Sequence, residues 1–226
     1  MKNTIKSFHQ LKKYYLLVGL IISILLGVLL SIAYSLINQN SFIGIFVLFG
    51  AILITVAYIY TYFYIVRIKE TTLCFIVRGD KVLMMHRVLK QNDVHEGKWN
   101  GIGGSFEEFE SPEDCLHREV KEEIGVKLKN YNFVGKVKFN NFAGKIGQEI
   151  MYCYVAYDYD GEILTCDEGK LYWVDKNQVL NRPLWEGDQH FLMHIINNEP
   201  FNGVITYDQD KVVFNHIELV NDKNNN

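Results

Sequence analysis

Residues 103–126 form the stretch GGSFEEFESPEDCLHREVKEEIGV. It concentrates eight carboxylates between positions 107 and 123, in a chain whose formal net charge is only -3. Ser111 followed by Pro112 is a typical helix start, because a serine oxygen accepts an amide hydrogen bond and proline fits the first helical position. Gly125 predicts that the helix ends at about Ile124. We therefore expect a helix with a strongly acidic surface.

Three of the acids, Glu119, Glu122 and Glu123, would share one helix face, since positions i, i+3 and i+4 are neighbours. Carboxylates at this spacing repel one another, and a divalent cation relieves the repulsion. Mg²⁺ prefers oxygen ligands and typically combines one or two carboxylates with water and substrate phosphates. A solvated acidic face is the other interpretation of the spacing. The glycine-rich run just upstream, which allows close backbone approach to a ligand, and Arg118 among the acids favour the cation site.

The fixed positions of this stretch resemble the Nudix box, G-x5-E-x7-R-E-U-x-E-E-x-G-U with U aliphatic. Nine positions over 23 residues match, namely Gly104, Glu110, Arg118, Glu119, Val120, Glu122, Glu123, Gly125 and Val126. The resemblance implies the Nudix hydrolase fold, a mixed β-sheet sandwiched by helices. It also implies hydrolysis of a nucleoside diphosphate linked to another moiety, with Mg²⁺ as cofactor and Mn²⁺ as the alternative ion.

The resemblance further implies a role for each box residue. The metal ligands would be Glu119, Glu122, Glu123 and the Gly104 carbonyl. Glu110 would pair with Arg118 and brace the loop against the helix. A box glutamate, Glu119 or Glu122, or an acid from a later loop would act as general base on the attacking water. Glu168, which lies between two predicted strands, is our candidate for that later acid.

Residues 71–219 resemble the MutT-type branch, which removes oxidised purine nucleoside triphosphates such as 8-oxo-dGTP and thereby sanitises the nucleotide pool. Such enzymes release the monophosphate and pyrophosphate. By this resemblance Asn100 and Asp188 would bind the base, and Trp185 would stack on it. An amide offers both donor and acceptor to a purine edge, and an indole offers stacking surface. The alternatives to substrate binding are structural: Asn100 would be a turn residue, and Trp185 would be a core aromatic.

Two positions depart from the MutT-type pattern. Ser105 stands where lysine is common, and Gly187 stands where some relatives carry a second acid. Both departures concern the base and neither touches the predicted metal site. Two further readings therefore stay open: a membrane-localised hydrolase of a lipid-linked or other diphosphate, and a non-catalytic membrane module that senses a nucleotide. The intact box favours an enzyme.

The first part of the chain contains two uncharged apolar runs, residues 14–37 and 42–66. Each exceeds the about 20 residues that a helix needs to cross ~30 Å of hydrocarbon. The short polar link between them predicts an antiparallel hairpin, and the basic residues outside it place both termini in the cytoplasm by the positive-inside rule. Two buried helices of a soluble core, or a cleaved signal peptide for the first run, are the alternatives.

The expected organisation has four parts. They are a cytoplasmic tail over 1–13, a cell-membrane hairpin over 14–66, a Nudix domain over 70–220 and a disordered tail over 221–226. Strands are expected at 71–78, 81–87, 132–139, 149–159, 170–175, 203–208 and 211–219, with a helix over 186–197. The fold class is therefore α/β (α+β), with mixed strands around the acidic helix.

Composition limits the partners. The chain lacks the basic excess of nucleic-acid binders, so we expect a small-molecule nucleotide substrate and no stable nucleic-acid binding. The four cysteines form no C-x-x-C pair, which is typical of reduced cytoplasmic thiols rather than of a zinc site.

Overall fold

The computed structural model describes residues 2–39, 42–66, 68–89, 93–144 and 147–220. The chain divides into two compact units, Met1–Ile68 and Lys69–Asn226, and each is described by itself. The predicted disordered tail over 221–226 and two residues of the predicted inter-helix link, 40 and 41, lie outside the described residues.

The first unit consists of two long helices, α1 (Lys2–Asn38) and α2 (Phe42–Val66). A Cβ on Gly44 would lie 2.9 Å from the Ala33 carbonyl oxygen, and one on Gly19 would lie 2.8 Å from the Tyr58 ring. Residues late in α1 thus contact residues early in α2 and the reverse, so the two helices are antiparallel. Helix α1 begins 12 residues before the predicted span over 14–37, because the basic N-terminal segment continues the same helix.

Among the side chains that the structure describes between Ile21 and Tyr60, most apolar ones are exposed or half-buried. The α1 segment Ile21–Asn38 has 18 residues and a mean hydropathy of 2.2, and is long and apolar enough to cross a membrane. Gly44–Tyr60 in α2 is a shorter apolar segment. Exposed phenylalanine and isoleucine side chains, such as Phe46 at 76% and Ile24 at 62%, are what a helix pair presents to lipid. A membrane location stays a prediction.

The second unit is built on one eight-stranded sheet. Its strands are β1 (Ile68–Arg78), β2 (Lys81–His86), β3 (Trp99–Asn100), β4 (Lys127–Asn140), β5 (Gln148–Asp160), β6 (Lys170–Asp175), β7 (Phe201–Asp208) and β8 (Lys211–Leu219). The order across the sheet is β3-β2-β1-β5-β4-β7-β8, and β6 pairs with β2. Strands β4 and β7 run parallel, whereas β4 and β5 are antiparallel, so the sheet is mixed.

The acidic helix α3 spans Pro112–Ile124, as predicted. The Ser111 hydroxyl accepts a hydrogen bond from the Asp114 amide at 3.1 Å, which satisfies an N-terminal donor. Gly125 adopts φ 76° and donates its amide to the Lys121 carbonyl at 3.0 Å, which ends the helix. The inward face of α3 carries an apolar stripe that comprises Cys115, Leu116, Val120 and Ile124, and Glu123 is buried beside it.

The prediction of one helix over 186–197 is wrong. The segment forms a 3₁₀ helix over Glu186–His190 and a short α-helix, α4, over Leu192–Ile196. Phe191 between them adopts φ -129°, outside the helical region, because its fully buried side chain packs into the core against Phe139 and Phe201. Two further 3₁₀ helices span Phe142–Gly144 and Lys176–Asn181.

Candidate active site

The glycine-rich loop before α3 lies directly against strand β1. The Thr72 amide donates to the Gly104 carbonyl at 2.8 Å, and the Phe106 amide donates to the Glu70 carbonyl at 3.0 Å. A Cβ on Gly103 would lie 2.3 Å from the Thr72 carbonyl oxygen, so a larger residue does not fit there. The loop is therefore anchored to the sheet on one side and leads into the acidic helix on the other.

The structure brings Glu110 and Arg118 together. Arg118 Nε donates to Glu110 Oε1 at 2.8 Å, and Nη2 donates to Oε2 at 2.9 Å. Arg118 Nη2 also donates to the Ser105 carbonyl at 2.9 Å. A planar guanidinium suits this bidentate geometry, which gives direction as well as energy. The pair therefore ties the loop to α3.

Arg118 also contacts two of the predicted metal ligands. Its Nη1 donates to Glu119 Oε1 at 2.7 Å and lies 3.2 Å from Glu122 Oε2. The Glu122 side chain is 61% exposed, whereas that of Glu119 is 14% exposed. The guanidinium thus offsets the repulsion between neighbouring carboxylates in this structure.

Glu119 packs against the glycine loop. A Cβ on Gly104 would lie 2.5 Å from the Glu119 carboxylate, so the glycine leaves the space that this carboxylate uses. Burial raises the pKa of Glu119, and the nearby charge of Glu122 acts in the same direction, although Arg118 opposes it. The Glu119 carboxylate and the Gly104 backbone are therefore neighbours, as the predicted ligand set requires.

Glu123 is the most buried of the three box acids on α3. Its Oε2 accepts a hydrogen bond from the Gly103 amide at 2.9 Å. The pKa of Glu123 is raised to about 8, mainly by burial and also by the charges of Glu168 and Glu119, while the Gly103 amide and Arg87 lower it. The carboxylates of Glu119, Glu123 and Glu168 are thus close enough to interact in a partly desolvated site.

The residues at this site fit a divalent cation by the chemistry of their donors. The predicted set, Glu119, Glu122, Glu123 and the Gly104 carbonyl, supplies oxygen atoms alone, which suits Mg²⁺ or Mn²⁺. Burial raises the pKa of Glu119 and of Glu123, nearby carboxylates act in the same direction, and a cation would relieve that repulsion. Within the described ranges, no three His, Cys, Asp or Glu side chains already form an ion cage, and Arg118 holds Glu119 and Glu122 instead.

The candidate general base Glu168 lies close enough to Glu123 to raise its pKa. Glu168 forms an ion pair with Arg87 Nη1. Arg87 also binds Asp93, with Nε donating to Oδ2 at 2.7 Å. The Arg87 and Asp93 side chains are only 11% and 9% exposed, which makes this a largely buried pair. Glu168 is therefore held at the edge of the acidic site.

The three predicted substrate residues line one cavity. Asn100 from β3, Trp185 and Asp188 face it together, and the other lining residues are mainly apolar. Apolar walls with a few convergent polar groups are typical of small-molecule sites. The remaining lining residues are Leu73, Phe75, His95, Gly101, Phe139, Phe142, Glu149, Met151 and Leu192.

Trp185 is largely buried, with 7% of its surface exposed. Its ring meets Phe142 edge-on at 4.9 Å, and Lys98 Nζ lies 5.1 Å from the ring centroid. Trp185 Nε1 donates to His95 Nδ1 at 2.9 Å. The residue thus belongs to the core and lines the cavity at once, so the two sequence-based alternatives for it do not exclude each other.

Asp188 is a cavity residue whose carboxyl pKa is strongly raised. Burial raises the pKa of its carboxyl to about 7, although the Trp185 backbone and Lys98 lower it. Near neutral pH this carboxyl is thus both a hydrogen-bond donor and an acceptor.

The departure at Gly187 has a structural reason. The Gly187 amide donates to the Tyr207 hydroxyl at 2.8 Å, and a Cβ on Gly187 would lie 2.5 Å from the same oxygen. A second acid does not fit here beside Tyr207. The other departure, Ser105, contributes its backbone carbonyl to Arg118.

Sequence reasoning missed Arg87, Asp93 and His95. His95 lines the cavity, and burial lowers the pKa of its imidazole to about 4. Arg87 and Asp93 lie between the cavity and Glu168. They come from the end of β2 and the loop after it, where no spacing pattern marks them. A polar loop with one arginine and two acids looks like any solvated connection.

Comparisons with known proteins identify the family of this domain. A family model described as the NUDIX domain matches residues 68–195. The uncharacterized Nudix hydrolase YvcI of Bacillus subtilis is 31% identical over 144 residues, which are 62% of this chain and 87% of YvcI. An oxidized purine nucleoside triphosphate hydrolase of Danio rerio is 27% identical over 148 residues, 66% of this chain and 92% of the fish protein.

Among solved structures, the crystal structure of the mutator MutT protein from Bacillus halodurans matches with a TM-score of 0.59. The two chains are 28% identical, and the match covers 67% of this chain and 98% of the other. The predicted fold class, a mixed sheet with helices around it, is confirmed.

Proposed function

Because this chain belongs to the Nudix hydrolase family, we propose that it hydrolyses an oxidised purine nucleoside triphosphate, such as 8-oxo-dGTP, to the monophosphate and pyrophosphate. Nudix hydrolases act with a divalent cation, and we propose Mg²⁺ here. In this reaction water adds to a phosphorus atom, one P–O bond breaks and pyrophosphate leaves. The activity would sanitise the nucleotide pool.

The observation that carries the proposal is the convergence of Asn100, Trp185 and Asp188 on one cavity. A purine offers donors, acceptors and a flat apolar face, and these three side chains supply the complement of each. Oxidation of a purine changes the hydrogen atoms on its edge. A carboxyl with a pKa of about 7 can donate or accept, and it therefore suits such an altered edge. The similar fish protein, named for oxidised purine nucleoside triphosphates, supports the same substrate class.

The acidic helix supplies the groups for the phosphates. Glu119, Glu122, Glu123 and the Gly104 carbonyl would hold the cation. When bound, such an ion offsets the negative charge of the phosphate oxygens and of the leaving group. Glu110, through its paired hydrogen bonds, keeps Arg118 at the base of this helix face. Glu168 would take a proton from the attacking water, with Arg87 holding its carboxylate.

We further propose that the helices α1 and α2 anchor the enzyme in the cell membrane, with the hydrolase domain in the cytoplasm. The support is the apolar segment Ile21–Asn38 and its exposed side chains.

This location favours a second candidate function, hydrolysis of a lipid-linked diphosphate at the membrane surface. Fractionation of cells that produce the full chain should place it with membranes after a high-salt wash. Recovery in the soluble fraction would contradict the anchor.

A substrate panel tests the function. The full chain with Mg²⁺ is offered 8-oxo-dGTP, 2-hydroxy-dATP, dGTP, ADP-ribose and a prenyl diphosphate, and the released products are identified. We expect kcat/KM for an oxidised purine triphosphate to exceed that for dGTP by about tenfold or more. Preferred turnover of the prenyl diphosphate would support the second candidate. Micromolar binding without turnover of any compound would indicate a nucleotide sensor.

A further inference from the structure

A continuous series of hydrogen bonds connects the cavity with Glu168. Trp185 Nε1 donates to His95 Nδ1 at 2.9 Å, and the His95 backbone amide donates to Asp93 Oδ1 at 3.1 Å. Arg87 Nε donates to Asp93 Oδ2 at 2.7 Å, and Arg87 Nη1 pairs with Glu168. We call these five residues the Trp185–Glu168 chain.

The middle of the Trp185–Glu168 chain is shielded from solvent. The Arg87 and Asp93 side chains are 11% and 9% exposed, and charge-assisted bonds in such surroundings are strong and directional. The Arg87 backbone also closes the loop that carries His95, since its amide donates to the Lys98 carbonyl at 2.9 Å and its carbonyl accepts from Gly97 at 2.7 Å. One arginine thus fixes both the loop and Glu168.

The direction of the bond at the cavity end is also fixed. An indole nitrogen only donates, so His95 Nδ1 is the acceptor and its proton lies on Nε2. Burial keeps this imidazole neutral, with a pKa of about 4, and the bond to Trp185 therefore persists across neutral pH. The His95 ring stacks on Phe142, which also lines the cavity. A nucleobase that enters the cavity meets the Trp185 and His95 side chains, and His95 is linked to Arg87 through its backbone amide and Asp93.

We propose that Arg87 and His95 are positioning residues. Through them, a nucleobase bound against Trp185 holds the Glu168 carboxylate where it can act as general base. This inference rests on the proposed function for the substrate. Neither residue has to contact the phosphates. Their effect is to make the rate of the chemical step depend on whether the cavity is correctly filled.

The first experiment tests the connection between Trp185 and Arg87 without measuring catalysis. The full chain in detergent micelles is labelled with ¹⁵N-tryptophan, and the indole resonance of Trp185 is assigned with a Trp185→Phe variant. Arg87→Lys should shift the Trp185 resonance although Arg87 does not touch that ring. Arg78→Lys is the matched control: Arg78 lies 5.0 Å from the Trp173 centroid, so this variant should shift Trp173 and leave Trp185 in place. An unshifted Trp185 in Arg87→Lys overturns the connection.

The second experiment is a double-mutant cycle on kcat, with Trp185→Phe at one end and Arg87→Lys at the other. Trp185→Phe keeps an aromatic face and removes the indole donor. We expect each single variant to lower kcat by about tenfold, and Arg87→Lys to leave KM for 8-oxo-dGTP nearly unchanged. The double variant should also lower kcat by only about tenfold, because the effects of coupled residues are not additive. A loss of about 100-fold in the double variant, the product of the two, would overturn the proposal.

The two experiments separate the inference from the function on which it rests. If the wild-type chain does not hydrolyse 8-oxo-dGTP, the proposed function fails, and the Trp185 resonance alone decides whether the connection exists. If the wild type is active and the resonance moves but the cycle is additive, the connection has no part in positioning Glu168, and the inference fails alone.

Discussion

The Glu110 carboxylate accepts two parallel hydrogen bonds from the Arg118 guanidinium, at 2.8 and 2.9 Å. Burial opposes ionisation of Glu110, but the bonds from Arg118 and the Glu107 amide hold its pKa below the ordinary value. The pair joins the glycine loop to the acidic helix. It is therefore the link on which the geometry of the site depends.

Glu110→Gln should lower the free energy of unfolding by about 1.5–3 kcal/mol, because it replaces charge-assisted bonds with weaker neutral ones. Denaturant unfolding at pH 7 measures the change. Since the pKa of Glu110 is lowered in the folded state, its stabilisation is present above the unfolded pKa and is lost as the pH falls through the folded pKa. The difference between variant and wild type should therefore shrink in acid. Glu108→Gln, an exposed loop acid, should change stability by less than about 0.5 kcal/mol.

Gly104→Ala should abolish most activity and leave α3 intact. The added Cβ would lie 2.5 Å from the Glu119 carboxylate and push it away from the predicted ligand set. We expect a fall in kcat of about 100-fold, with an unchanged far-ultraviolet circular dichroism spectrum. Gly27→Ala, which adds a Cβ in open space, should retain normal kcat. Full activity of Gly104→Ala would show that Glu119 is not needed in its present position.

Asp188 should make stability depend on pH. Its pKa is about 7 in the folded chain and ~3.9 in an unfolded one, so between these values the folded state holds a proton that the unfolded state lacks. Stability should therefore fall as the pH rises from about 4 to 7, by up to about 1.4 kcal/mol per pH unit. Asp188→Asn should remove this contribution, and the exposed Asp175→Asn should not. Parallel unfolding curves for wild type and Asp188→Asn across this window would exclude the raised pKa.

The acidic helix could be predicted because its signals are local. The Ser111 cap, Pro112 and Gly125 act on backbone atoms within one turn, and the structure shows the same limits. The β1–β2 hairpin was predictable for a similar reason, since two turn residues at 79 and 80 set its register.

The rest of the site depends on contacts between distant parts of the chain. Arg87 pairs with Glu168 across 81 positions, and Trp185 bonds His95 across 90. No local sequence pattern at either residue of such a pair predicts its partner. The break at Phe191 is also a tertiary effect, because burial of one side chain overrides a helical segment that looks continuous in the sequence.

We propose that the acids of α3 hold a cation for hydrolysis of a nucleoside triphosphate. The most direct measurement is pyrophosphate release from 8-oxo-dGTP by the full chain, with and without Mg²⁺, for wild type, Glu122→Gln and the control Glu108→Gln. We predict Mg²⁺-dependent turnover in wild type and control, and a loss of about 100-fold or more in Glu122→Gln at an unchanged melting temperature. Turnover at the wild-type rate by Glu122→Gln, or turnover that does not depend on a divalent cation, would contradict the proposed cation site on α3.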